Sequence, residues 1–438
     1  MQYSQFPDEQ IEITDEFKHA LELLEMPPER APMILITGKA GTGKTTLLKF
    51  FARNTSKNAI VLATTGIAAV NVRGQTVHSF FHLQPGNLLD VEALKKLPRR
   101  TVEAIDSIIV DEASMLRADL LDAMDHILRI STKTDTPFGG KQIILFGDLF
   151  QLPPVEEQPG DGLFDLFHAR YQSPYFFDAK VLQETHLEVF ELKRIFRQQD
   201  DRGFALLLNK IRENTITQPA LNAWLNKRID PREPTDTDNT IILSPTNAGA
   251  TWRNHAHLAK LPGEEFVYEA LVDETFKKKN VQAETTLRLK KGAKIMMLTN
   301  HKDHYWVNGD IGTVHDLTQD SIQVEIKGCV YQVDPYVWED IRYEFNPLSQ
   351  KLEPKVNGFF KQYPLKLAWA ITIHKSQGLT FDSIYLDIGN GAFAPGQTYV
   401  ALSRCRTLQG VKLKKPITMR DIKCDGRVVQ FFKNEFLQ

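Results

Sequence analysis

Eight consecutive residues, Gly38-Lys39-Ala40-Gly41-Thr42-Gly43-Lys44-Thr45, are of the types and at the spacing that hold a polyphosphate. The glycines let backbone N–H groups turn onto phosphate oxygens, Lys44 neutralises the outer phosphates, and the Thr45 hydroxyl offers an oxygen to Mg²⁺. Further along, Asp111 and Glu112 form an acid pair. Downstream of a phosphate loop, the first acid suits a metal ion and the second can orient or deprotonate a water. Gln151, Arg197 and Arg404 add groups able to sense a γ-phosphate and to stabilise the charge that develops as it leaves. The chemistry these residues spell is nucleoside triphosphate hydrolysis, which leaves open what the hydrolysis drives.

The elements around these residues are placed as that chemistry needs. Met33-Ile34-Leu35-Ile36 reads as a buried strand and Thr45 to Phe51 as a helix, so the loop lies at a helix N-terminus, where the dipole favours anions. Ala59–Ala63, Ile108–Val110 and Ile143–Phe146 read as further strands, Ile108–Val110 running directly into Asp111-Glu112. From Leu116 to Ile130, Leu120, Leu121, Met124, Ile127 and Leu128 share one helical face, which is core packing. A leading helix carries Phe17, Leu21 and Leu24 and stops before Pro27-Pro28. Strand and helix alternate from Met33 to Gln151, which makes one doubly wound α/β domain. Glu191 to Gln198 opens a second set, with a strand at Ile241–Leu243 followed by Thr246-Asn247, and another at Ile384–Leu386. This half has no second phosphate loop, so it supplies arginines across a cleft. Between the two parts of that half, Ile322, Val324 and Ile326 alternate with polar residues and Asn308-Gly309-Asp310-Ile311-Gly312 suits a hairpin turn, predicting a small β-barrel. The expected division is 1–170 for a first core with a small insertion at about 82–100, 171–286 and 361–438 for the second core, and 287–360 for the barrel.

Composition narrows the class. The chain has 438 residues, 42% hydrophobic and 25% charged, with a net charge of −2, so no global basic field announces nucleic acid. Any polyanion site is local, with candidates at Lys95-Lys96 with Arg99-Arg100, at Lys277-Lys278-Lys279, and at Lys290-Lys291 with Lys294. The N-terminal stretch lacks the basic start and apolar run of a secretory signal, and no stretch suffices to span a bilayer. Cys329, Cys405 and Cys424 lack metal-ligand spacing, and a reducing interior is expected, cytoplasmic and nucleoid-associated or nuclear.

In several blocks the chain resembles the Pif-one DNA helicases, a superfamily-one branch related to RecD. Gly41-Thr42-Gly43-Lys44-Thr45 is similar to motif I, Thr65-Gly66-Ile67-Ala68-Ala69 to motif Ia, Asp111-Glu112-Ala113-Ser114-Met115 to motif II and Gly147 to Pro154 to motif III. Phe196-Arg197-Gln198 resembles motif IV, Thr372 to Gly378 motif V, and Ala401-Leu402-Ser403-Arg404 motif VI. Ser114 to Ile130 resembles the family signature between motifs II and III. The resemblance implies two RecA-like cores with parallel sheets, an SH3-like β-barrel in the second, and ATP-driven 5′ to 3′ movement on single-stranded DNA. It implies unwinding of forked or tailed duplexes and of G-quadruplexes, by a monomer with no membrane partner, in DNA repair, recombination and telomere maintenance. Residue by residue, Gly38, Ala40, Gly41, Thr42, Gly43, Lys44, Thr45, Thr46, Gln377 and Gly378 would contact ATP, Thr45 and Asp111 would hold Mg²⁺, and Glu112 would activate water. Thr64, His78, Phe80, Thr246, Asn247, His374 and Lys375 would line the strand channel. Phe80, Phe81 and Trp306 are aromatic candidates for base stacking, although core packing is the commoner fate of such residues. The chain departs from the family at Ile13-Thr14-Asp15-Glu16-Phe17, where an adenine-reading glutamine is usual and the nearest glutamine is Gln10. An RNA or RNA–DNA hybrid helicase and a remodelling ATPase independent of nucleic acid stay open, the motif V and VI pair arguing against the latter.

Overall fold

The computed structural model describes residues 13–83, 88–156, 162–235, 240–276, 281–349 and 351–436. Gln10 and Lys277-Lys278-Lys279 lie outside the described residues. The phosphate loop hangs from β1 (Met33–Gly38), a wholly buried strand at the heart of a parallel sheet. With β2 (Ala59–Ala63), β3 (Gln75–Thr76), β4 (Ser107–Asp111), β5 (Gln142–Phe146) and β6 (Leu187–Leu192), the strand order is β3-β2-β4-β5-β1-β6. Near-continuous apolar runs in β1, β4 and β5 are what a parallel sheet covered on both faces requires. One face packs on Leu21, Leu24, Leu47, Leu48 and Phe51, and the other on Leu120, Leu121, Met124, Ile127 and Leu128, the helix face read from the sequence. The helix Lys44–Asn54 starts on the loop's last glycine, so its N-terminus faces the ligand side.

The edge strand β6 pairs with β1 over Met33↔Leu187 to Gly38↔Leu192, beyond the expected boundary at residue 170. The sequence signal missed it because only Leu187 and Leu192 are buried, giving no alternating pattern to detect. Arg197 therefore leaves from the first sheet rather than from a second domain.

A second parallel sheet has order β18-β7-β19-β20, from β7 (Ile241–Ser244), β18 (Ala370–Thr372), β19 (Ile384–Leu386) and β20 (Val411–Leu413). Between β7 and β18 the chain is antiparallel, beginning at β8 (Phe266–Glu269), β9 (Leu271–Val272) and β10 (Thr286–Leu289), earlier than expected. Then β11 (Lys294–Met297), β12 (Ile311–Thr318), β13 (Ser321–Ile326), β14 (Cys329–Val333) and β17 (Leu365–Leu367) form a sheet of order β14-β13-β12-β11-β17. Ile322, Val324 and Ile326 face its core as their alternation predicted. The remaining strands, β15 (Tyr336–Asn346) and β16 (Lys351–Gln362), make a long hairpin outside that sheet. Trp338 and Phe360 root it in the second core. Nearer its tip, Tyr343 and Leu352 pack on the first core, where the Val61 N–H donates to the Tyr343 hydroxyl at 3.3 Å.

Candidate active site

The ends of the parallel strands gather the chemistry, as open α/β sheets do. Gly38 ends β1, Asp111 ends β4, and Asp148 and Gln151 follow β5, three neighbouring strands whose C-terminal ends share one edge. They border a cavity of about 790 Å³ lined by Ala40, Gly41, Thr42, Gly43, Lys44, Thr45, Thr46, Asp111, Glu112, Gln151, Arg197, Gly378 and Arg404. Residues from opposite ends of the chain thus meet around one space. Gly38 and Gln377 were expected to touch nucleotide, but both stand back from this lining. The Gly38 carbonyl instead accepts from Lys44 Nζ at 2.7 Å, and the Gln377 amide nitrogen is buried without a partner among the described residues.

Local geometry explains how each group is aimed. Gly41 has φ +82°, and a Cβ there would lie 2.5 Å from Cβ of Arg197, so only glycine lets the loop and the arginine come together. The Phe196 N–H donates to the Gly41 carbonyl at 2.8 Å, which fixes the start of that arginine segment on the loop. Glu112 adopts φ +54°, ψ +46°, a left-handed conformation uncommon for a side-chain-bearing residue, and its N–H donates to Asp111 Oδ1 at 2.9 Å. This sharp turn after a strand sends both carboxylates to one cavity.

The electrostatics suit a site that takes an anion and a cation together. Burial, then the neighbouring Glu112 charge, push Asp111 up to about 7. Burial also raises Glu112, with Lys44 and Arg404 opposing. On the other side of the cavity, burial and then the like charge of Arg404 bring Arg197 down to about 9. Burial lowers Arg404 and Lys44 too, the latter eased by Asp148 and Glu112. A polyphosphate relieves the three cations, and a divalent ion at Asp111 relieves the acid pair. Among the described residues no cluster of three or more His, Cys, Asp or Glu is arranged for an ion, so Thr45 and Asp111 would share a hard cation with phosphate oxygens and water.

The residues expected to line a strand channel are not part of the cavity lining, although the Thr64 hydroxyl donates to the Glu112 carbonyl at 3.1 Å. Thr64 follows β2 and His78 follows β3, on the far half of the first sheet. Thr246 caps the helix Asn247–Lys260 after β7, while His374 and Lys375 follow the neighbouring β18. Lys375, Thr246 and Asn247 are exposed, and His374 lies beside the exposed ring of Phe393, which the sequence reading overlooked. Phe80 is a correction: it is 5% exposed, packed edge-on to Phe81 and Tyr343 in the first core, and no base reaches its face. Phe81 and Trp306 are likewise core residues. Lys294 is also buried, its Nζ on the Thr240 carbonyl at 2.9 Å, so Lys290-Lys291-Lys294 forms no basic patch.

The model of the PIF1-like helicase family matches residues 9–220. A protein of Bdellovibrio bacteriovorus, the ATP-dependent DNA helicase Pif1, is 31% identical over 98% of this chain and 93% of its own length. The crystal structure of Bacteroides sp Pif1 in complex with ADP-AlF4 superposes with a TM-score of 0.87 at 33% identity, covering 98% of both chains. Bacteroides Pif1 bound to ssDNA, at the same identity and coverage, superposes with a TM-score of 0.70.

Proposed function

The chain belongs to the PIF1-like helicases, and from that membership and its cleft we infer that it is an ATP-dependent DNA helicase. The observation that carries this reading is the single cavity in which the phosphate loop, Asp111-Glu112, Gln151, Arg197 and Arg404 converge from both α/β cores. Lys44 and the loop N–H groups hold the phosphates of ATP, and Thr45 and Asp111 bind the accompanying Mg²⁺. Glu112 orients the attacking water, while Arg197 and Arg404 meet the charge on the departing γ-phosphate. Lys44 Nζ sits on the Gly38 and Lys39 carbonyls at 2.7 and 3.0 Å, bonds it exchanges for phosphate oxygens.

Single-stranded DNA then runs over the ends of the other strands, at exposed Thr246, Asn247 and Lys375 and at half-buried Thr64, His78 and His374. The reading extends to forked and tailed duplexes and G-quadruplexes as substrates, to 5′ to 3′ movement, to action as a monomer and to an SH3-like role for the antiparallel sheet. These rest on the family resemblance. The free thiol of exposed Cys329 suits a reducing compartment. Unwinding of 5′-tailed but not 3′-tailed duplex, with RNA-tailed controls, tests the reading. Hydrolysis unaffected by any nucleic acid would overturn it.

A further inference from the structure

The cleft contains one set of bonds that phosphate binding and water activation do not use. The Tyr399 hydroxyl accepts from the Ala40 N–H at 2.8 Å and donates to Asp148 Oδ2 at 3.1 Å. Asp148 Oδ1 accepts from Arg212 Nε at 3.2 Å and from an Arg212 terminal nitrogen at 2.9 Å, while Gln151 Nε2 reaches Oδ2 at 3.4 Å. Tyr399, Asp148, Arg212 and Gln151 are 3%, 1%, 5% and 8% exposed, so water does not compete for these bonds. Burial by itself would raise Asp148, but Arg212 and Lys44 outweigh it and hold the carboxyl below its ordinary range, ionised.

Three parts of the chain meet on that carboxylate. The phosphate loop arrives through Ala40, the helix Arg202–Arg212 through its last residue, and the helix Gln397–Leu402 through Tyr399. Gly396, with φ +71°, begins the last of these so close to the segment after β5 that a Cβ would lie 2.4 Å from the carbonyl oxygens of Phe150 and Gln151. At its other end the helix runs into Arg404, whose Nε returns to the Val400 carbonyl at 2.9 Å. The tyrosine therefore stands between the loop that receives the γ-phosphate and the helix that presents Arg404 to it.

We propose that Tyr399 is a positioning residue that couples the phosphate loop to the Arg404-bearing helix, so that ATP turnover moves the second core. The proposal rests on the reading of the cleft as an ATPase. One hydroxyl fixes both a loop N–H and the carboxylate beside Gln151. A shift of either as the γ-phosphate binds or leaves is passed to the helix and, through it, to Arg404. Tyr399→Phe keeps the ring in its buried seat and deletes only the oxygen, leaving the Ala40 N–H without its acceptor.

The test uses the full chain and reads melting temperature, binding of a fluorescent ADP, ATPase with and without single-stranded DNA, and base pairs unwound per ATP. For Tyr399→Phe the expected result is ADP affinity and KM within about threefold of the parent. The DNA-stimulated kcat falls about tenfold or more, since slight misplacement of a charge-stabilising group is costly, and fewer base pairs open per ATP. A merely structural role would instead lower melting temperature, affinity and rate together. That result, or a DNA-stimulated kcat within about twofold of the parent, overturns the proposal. Asp148→Asn, similar in shape, serves as second variant and should lose the same stimulated step. Combined with Tyr399→Phe it should be no worse than the more severe single change if the two act as one unit. Absent DNA-stimulated hydrolysis in the parent chain would refute the function itself, whereas an active parent with a normal Tyr399→Phe refutes only the coupling.

Discussion

The nucleotide cleft and the strand-facing edge are built on the same sheets yet prepared to different degrees. In the cleft, charged groups are held by named bonds: half-buried Lys44 on two loop carbonyls, buried Asp148 on Arg212 and Tyr399, buried Arg404 on Val400 and Ser403. At the strand edge, Lys375, Thr246 and Asn247 are exposed. The difference teaches where specificity of geometry is needed. Hydrolysis demands charges placed within tenths of an ångström before the substrate arrives. A motor's grip on a backbone of repeating phosphates needs only groups that reach, release and reach again.

The comparison breaks most decisively at Lys44. Lys44→Ala should lower kcat for ATP by at least about 10³-fold, because it removes the one loop cation that faces the outer phosphates. Nucleotide-free binding to single-stranded DNA, measured by fluorescence anisotropy, should persist. If the variant hydrolyses ATP at the parent rate, the cleft assignment fails. Next in size is Glu112→Gln, which keeps shape and removes the base. It should cost about 10² to 10³-fold in kcat while nucleotide still binds. Tight nucleotide binding with stalled unwinding in a gel assay is the expected pattern, and normal unwinding would exclude Glu112 as the base.

The contrast also explains what could be read from the sequence. The cleft was legible because its chemistry demands fixed residue types at fixed local spacings, as at Gly38 to Thr45 and Asp111-Glu112, each tied to an apolar strand. Asp148, Tyr399 and Arg212 were not legible as a unit, since their partnership spans residues 40 to 399 and no local pattern encodes it. The strand β6 escaped for want of alternation, and the β15–β16 hairpin was absorbed into one expected barrel because both read as amphipathic β segments. Phe80 shows the limit of side-chain type as evidence. A phenylalanine can stack on a base or fill a core, and only its place behind Phe81 and Tyr343 decides.

The strand edge is sharpened by smaller effects. Lys375→Ala should weaken single-stranded DNA binding about three- to tenfold and reduce the slope of log affinity against log salt by about one, the mark of a lost phosphate contact. The change should appear in the DNA concentration needed for half-maximal ATPase more than in kcat at saturating DNA. An unchanged salt slope would remove Lys375 from the strand path.

The smallest effect concerns the hairpin that joins the two regions. Tyr343 is its only hydrogen-bonding side chain on the first core among the described residues, through the Val61 N–H at the edge of β2 just before β3 pairs with that strand. The bond is long at 3.3 Å, and its loss should cost about 0.5–1.5 kcal/mol at most. Tyr343→Phe keeps the edge-on contact with Phe80, so the expected fall in melting temperature is a few degrees or less. If the hairpin contact belongs to the form without DNA, loosening it should raise the affinity for single strands slightly, by about twofold, while cleft kinetics stay as they were. Equal DNA affinity for Tyr343→Phe and its parent, measured side by side, would mean that the hairpin braces the first core in both forms, and that strand binding does not work against this bond.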